Sequence, residues 1–339
     1  MKSWRRSCIP NKSQKLRLII VLALLVLAST VASICFGAVW VSPGDVWHAI
    51  WEGVNYQTAN QIILLARLPR TCGCLLAGAA LAVSGAVIQG VLNNPLAAPN
   101  IIGVNSGAGL MVAVCCAAAP TAVALVPVAA FLGALAGVLL VLFISERAGA
   151  SKITLVLAGV AVSSMFSAGI DAVVTFVPDA LNGYSDFRIG GFSNLYMARI
   201  RPAFWIILVA LILVLSLSNE LDLLLLGTDE AQSLGLPAKR LRLVLLALAA
   251  ALAGAAVSFA GLLGFVGLIV PHIMRRLLGE ESFPLLVSSA LGGAALLTIC
   301  DLLARVLFAP YELPVGIVLA LAGGPFFIWL LLRQRGGRL

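Results

Sequence analysis

The sequence is short of charge. Of its 339 residues, 11% are Asp, Glu, Lys or Arg, where a soluble domain carries about 25%. So few charges cannot cover a water-exposed surface of this size, which excludes a soluble enzyme, a nucleic-acid-binding protein and a disordered tail. Histidine is scarcer still. His48 and His272 are the two present, and neither segment shows an obvious catalytic cluster around its histidine, so no metal or cofactor site is expected. The phosphate-binding pattern G-x-x-x-x-G-K-[ST] is absent, so the chain cannot hydrolyse ATP itself. Carboxylates are missing from the apolar runs except for Asp171 and Asp301. Both are expected nearer the outer ends than the midplane, whereas ion-coupled carriers keep carboxylates at the centre. The seven cysteines mostly lie inside apolar runs, and Cys72 and Cys74 lack a second pair or a nearby His. They read as small apolar helix residues.

What is present is apolar sequence. Hydrophobic residues make up 61% of the chain, and the mean hydropathy is +1.08. No charge occurs for 27 residues after Arg17 or for 75 residues after Arg70, and 202–219, 243–274, 282–300 and 313–332 are also charge-free. About 20 apolar residues in a helix cross the hydrocarbon core, so the chain is expected to be an all-α polytopic membrane protein. Pro, Gly, Asn and charges divide the runs into ten candidate spans: 16–41, 63–92, 101–118, 122–145, 153–177, 203–219, 241–262, 265–278, 283–308 and 313–332. The eighth is too short to cross straight. It follows Gly261, Gly264 and Gly267 and holds Pro271, so a broken or partly buried helix is expected there. The first run exceeds the 7–15 residues of a signal-peptide core and reads as an uncleaved span. All connections are short, so one transmembrane domain over 1–339 is expected.

Ten spans place both termini on one side. With that side cytoplasmic, the inner segments hold 16 of the 22 Lys and Arg and the outer ones hold 6, while the acids divide evenly. That distribution follows the positive-inside rule. Trp40, Trp47, Trp51 and Tyr56 then form an outer interface belt. Small residues recur at Gly103, Gly107, Gly133 and Gly137, a spacing that lets helix backbones approach closely in lipid.

One cytoplasmic connection, 219–242, is long enough to carry a function. Thr228 can cap a short helix with Asp229 and Glu230 in its first turn, Gly235 stops it, and a second turn begins near Pro237. The segment reads either as a knob that docks into a motor protein or as an ordinary amphipathic linker.

Other motifs run through Arg67-Leu-Pro-Arg70, Gly78 to Gln89, Asn94-Pro-Leu96-Ala-Ala-Pro99 and Gly103 to Gly107. They continue through Gly264 to His272, Asp301-Leu-Leu-Ala-Arg305, Glu312-Leu-Pro-Val-Gly316 and Gly324-Pro-Phe-Phe327. In these residues the chain resembles the iron-siderophore and cobalamin permeases of bacterial ABC importers, the FecCD family. The resemblance implies a type II permease fold, a second permease subunit, identical or homologous, around one central path, two ABC ATPase subunits below, and an extracytoplasmic substrate-binding protein above. It places the chain in the bacterial cytoplasmic membrane, among lipid and away from nucleic acid.

Carried over by motif, Arg67, Arg70 and Arg305 meet acidic residues of the binding protein. The planar fork of Arg suits bidentate pairing with carboxylate. Two structural readings stand beside this one: Arg70 snorkels at a helix start, and Arg305 pairs with Asp301 at i,i+4. The family's coupling helices match Asp229, Glu230, Ala231, Leu234, Gly235 and Leu236, which would touch the ATPase. Asn94 and Leu96, with the segment near Ser151 and Lys152, match the narrow cytoplasmic end of the path, although Asn94-Pro95 equally reads as a helix-ending turn. His272 is taken as structural. The cargo implied is a ferric siderophore, with haem or cobalamin as the alternative. An ion-coupled secondary transporter is the remote alternative.

Overall fold

The computed structural model describes residues 11–37, 40–52, 58–149, 152–193, 195–307 and 311–335. Among them there are helices and turns but no strand. In chain order the helices are α1 (Lys12–Cys35), α2 (Pro43–Glu52), α3 (Thr58–Gln61), α4 (Leu68–Leu92), α5 (Val104–Ala118), α6 (Val126–Arg147), α7 (Lys152–Phe176) and α8 (Ala180–Ile189). Then follow α9 (Met197–Ser216), α10 (Ser218–Leu226), α11 (Thr228–Ser233), α12 (Ala238–Ala260), α13 (Val266–Leu278), α14 (Ser282–Val306) and α15 (Val315–Arg335). A π-helical turn, Ile62–Arg67, joins α3 to α4.

Seven of these helical stretches are long and apolar enough to cross a membrane, and α5 and the apolar part of α15 are shorter. The ten expected segments all fall on helices. The first ends at Cys35 rather than at residue 41, and four helices were not foreseen: α2, α3, α8 and α10. Each lies in a connection of mixed composition, where no long apolar run advertises a helix.

α4 is the centre of the bundle and packs against α12, α13 and α14. Its glycines explain how. A Cβ on Gly78 would collide with the Gly293 carbonyl of α14, and one on Gly85 with the Gly267 carbonyl of α13. Between α5 and α6 the two small-residue pairs meet each other: Gly107 lies on the Gly133 carbonyl, and Gly137 on Gly103. Where lipid supplies no hydrophobic drive between helices, close backbone approach and interhelical hydrogen bonds hold them together. Ser84 Oγ donates to the Ala249 carbonyl of α12 at 2.6 Å, and the Ser106 and Ser163 hydroxyls join α5 to α7 at 3.1 Å.

The eighth segment is short and partly buried, one of the two forms expected, but it is not broken: α13 runs through Pro271 as one helix. Gly261 and Phe265 both adopt positive φ, at 72° and 67°, and α13 starts only at Val266. Pro271 has no N–H to give the carbonyl four residues back, which is that of Gly267. Gln89, buried on α4, supplies the donor: its Nε2 lies 3.2 Å from Gly267 O. Gln89→Leu should therefore leave a buried carbonyl unpaired and cost about 1–3 kcal/mol. The check is the unfolding midpoint of the purified protein in detergent, with Gln89→Glu as a variant that retains size but not the donor.

Candidate outer cluster and cytoplasmic loop

Arg67, Arg70 and Arg305 come together at one end of the bundle. Arg67 closes the π-helical turn, Arg70 occupies the first turn of α4 behind Pro69, and Arg305 lies in the last turn of α14. All three guanidinium groups turn into the protein, with the residues 6%, 8% and 4% exposed.

Their partners are internal. Asp301, wholly buried on α14, accepts from Arg70 Nε at 3.1 and 2.9 Å and from Arg70 Nη2 at 3.1 Å. One turn on, Arg305 Nε lies 3.2 Å from Asp301 Oδ2, the i,i+4 pair anticipated for these positions. Arg305 Nη2 also reaches Ser33 Oγ at 2.7 Å and Ser33 O at 3.2 Å on α1. Arg67 Nη1 donates to the carbonyls of Ile34 and Cys35, at 2.7 and 2.9 Å, capping the end of α1. The remaining arm of Arg70, Nη1, binds Glu312 Oε2 at 2.6 Å. Glu312 is the open member of the group, its side chain 42% exposed. Glu312 opens one of the motifs that carry the resemblance, but nothing in the local sequence announced its pairing with Arg70, 242 residues away.

At the other end of the bundle, Lys15 of α1 pairs with Glu281 just before α14. Asp222 of α10 accepts from the Ser282 backbone N–H at 2.9 Å. α14 has no capping side chain of its own at Glu281, so α10 provides the cap from a distance. α14 therefore runs from the 219–242 connection at one end to the arginine cluster at the other.

Within that connection α10 and α11 are two short helices, both preceding Pro237; α12 begins directly at Ala238. α11 thus lies where the first short helix was expected, the second turn expected near Pro237 is the start of α12, and α10 was not foreseen. The N-cap of α11 is Gly227 at φ 134°, which displaces Thr228 to the first helical residue. Glu230 and Ala231 lie within α11, Ala231 buried, and Asp229 is helical in backbone with its side chain outside the described residues. Leu234 is 62% exposed. Gly235, at φ 84° with open space where a Cβ would be, ends the helix as expected. Leu236 N–H returns to Ala231 O at 3.1 Å. Leu234, Gly235 and Leu236 thus form a tight reversal with an apolar tip.

Asn94 is exposed and Leu96 half-buried after α4. Asn94 Oδ1 accepts from Leu96 N–H at 3.0 Å, and Asn93 takes a left-handed φ of 49° to end the helix. The helix-ending turn is thus present at this point. Ser151 lies outside the described residues, and Lys152 opens α7 with its side chain likewise outside them. Among the described residues no group of three His, Cys, Asp or Glu is placed to hold a metal ion.

The FecCD transport family matches residues 24–333. The chain is 38% identical to the hemin transport system permease protein of Yersinia pestis, over 95% of this chain and 96% of that one. It is 37% identical to the Fe(3+)-citrate import system permease protein of Bacillus subtilis, with the same coverage. It is also 37% identical to the vitamin B12 import system permease protein of Escherichia coli, over 96% and 98%. A solved structure, a transporter described as of metal-chelate ABC type in an inward-facing conformation, superposes with a TM-score of 0.84 at 30% identity, over 94% of this chain and 99% of that one. The chain belongs to the FecCD transport family, the type II permeases of ABC importers, and is a multi-pass membrane transport subunit rather than an enzyme.

Proposed function

We propose that this chain is one of two permease subunits that carry a ferric siderophore, or a similar iron chelate, across the bacterial cytoplasmic membrane. Ten spans and cytoplasmic termini are part of this reading, as are two separate ATPases and an outer substrate-binding protein. The observation that carries it is the end-to-end similarity to permeases of iron-chelate, haem and cobalamin import in a chain without a phosphate-binding loop. Haem and cobalamin are supported equally, since relatives of those kinds stand at 38% and 37% identity beside 37% for the iron-citrate permease.

ATP binding closes the motor dimer, the reversal at Glu230–Leu236 carries the motion upward, and the two permease halves tilt about the path. The open groove along α7, with Ser163, Ser164, Ser167 and Asp171, suits the wall of such a path. It is weakly polar, and a bulky chelate can pass without being held. Asn94 and Leu96, with Ser151 and Lys152, narrow its cytoplasmic end. Arg67, Arg70 and Arg305 dock the acidic face of the binding protein.

The coupling role has a direct test. Leu234→Asp places a charge at the apolar tip of the reversal, and an apolar contact at an interface centre is worth enough that about tenfold or greater loss of ATPase affinity is expected. Co-purification of the ATPase with the variant checks it. Undiminished association would show that the motor docks elsewhere.

A further inference from the structure

The outer cluster raises a difficulty for docking. Arg67, Arg70 and Arg305 are each at most 8% exposed, so an acidic residue of a partner cannot reach them while they turn inward onto internal partners. One member must leave. Asp301 is fully buried and takes three hydrogen bonds from Arg70 besides its ion pair with Arg305. Removing it would strand buried cations. Ser33 and the Ile34 and Cys35 carbonyls belong to the end of α1, and their withdrawal would require a span to move. Glu312 differs on each count: it is 42% exposed, and it binds a single arm, Arg70 Nη1, at 2.6 Å.

Its backbone setting also suits a side chain that swings alone. Leu313 N–H is tied to Ala304 O at 3.2 Å, at the end of α14, and Gly316 N–H to Gly190 O at 3.3 Å. Pro314, between these anchors, fixes its own φ. The loop is held while the Glu312 carboxylate, at its exposed edge, is free to rotate into water.

We propose that Glu312 is an intramolecular stand-in for the binding protein's carboxylate. In the undocked permease it occupies Arg70 Nη1 and so keeps the guanidinium paired. On docking, a partner carboxylate takes its place and Glu312 turns out to solvent. This rests on the reading that the arginine cluster is the docking site. Exchange keeps one carboxylate on Nη1 throughout, so no buried cation is left unpaired at any stage. It also makes Glu312 a competitor of the partner. Its removal should strengthen docking, whereas loss of any other member of the cluster should weaken it.

The test uses the intact permease–ATPase complex in lipid nanodiscs and the transporter's own purified substrate-binding protein, with binding followed on an immobilised surface across a salt series. An exposed pair is worth about 0.2–1 kcal/mol, so Glu312→Gln should bind roughly two- to fivefold more tightly, and the gain should fade as salt rises. Salt-dependent docking combined with unchanged or weaker binding by Glu312→Gln would overturn the exchange and leave the docking site standing. Docking that ignores salt would remove the arginine cluster as the docking site, and the exchange with it.

Discussion

Asp301→Ala should cost this protein about 3–5 kcal/mol. The carboxylate is fully buried and is the shared partner of Arg70 and Arg305. Deleting it leaves two guanidinium groups facing each other at a position where water cannot restore their solvation. The loss is expected to appear as little folded protein, or as a sharply lower unfolding midpoint in detergent. Asp301→Asn should recover only a small part, because the shape returns but the charge does not. The comparison that gives the result meaning is Glu312→Gln. That variant breaks a bond to the same arginine from a half-exposed carboxylate, where about 1 kcal/mol or less is at stake. Equal losses for the two positions would show that burial does not control the cluster's energetics.

The second large effect belongs to Gly85. A single added methyl there meets the Gly267 carbonyl of α13, and the obstacle is backbone. Side chains can rotate away from an intruding atom, but a helix start pinned by Gln89 on the same carbonyl has no such freedom. Overpacking a well-filled site costs about 1–3 kcal/mol when neighbours can adjust; Gly85→Ala should reach or exceed the upper end of that range. Gly264→Ala is its control, since a Cβ there meets nothing within 4 Å in this chain, and it should change stability by about 0.5 kcal/mol or less. Thermal unfolding of the two variants side by side decides the matter. A tolerated Gly85→Ala would mean that α4 and α13 do not cross as closely as described.

Much of the architecture was written in coarse features of the sequence. Long charge-free runs mark helices because the hydrocarbon core tolerates no unpaired charge, and Pro271 among three glycines marks a short, partly buried one. Gly103, Gly107, Gly133 and Gly137 advertised a close crossing, and they meet one another. What periodicity could not show was which helices pair across the fold. Gln89 serving Gly267, or Asp222 capping α14 at Ser282, joins positions tens to hundreds of residues apart, and no local pattern encodes such a meeting. The same holds for Arg70. Its motif places it at the outer end of a span, but its burial, its grip on Asp301 and its link to Glu312 come from tertiary packing. The short helix expected from Thr228 is present as α11, with its cap one residue earlier than expected. α11 has six residues, and its start is set by Gly227 at positive φ, a conformation open to glycine that outweighs the capping preference of Thr228.

The central claim is that this permease supplies the path and separate subunits supply the work. Uptake of a labelled ferric siderophore into proteoliposomes, with the chain reconstituted alone or together with its ATPase and binding protein, tests it most directly. Uptake should require all the components and Mg-ATP, and it should be indifferent to proton or sodium gradients. Accumulation by the chain alone, driven by an ion gradient, would contradict it.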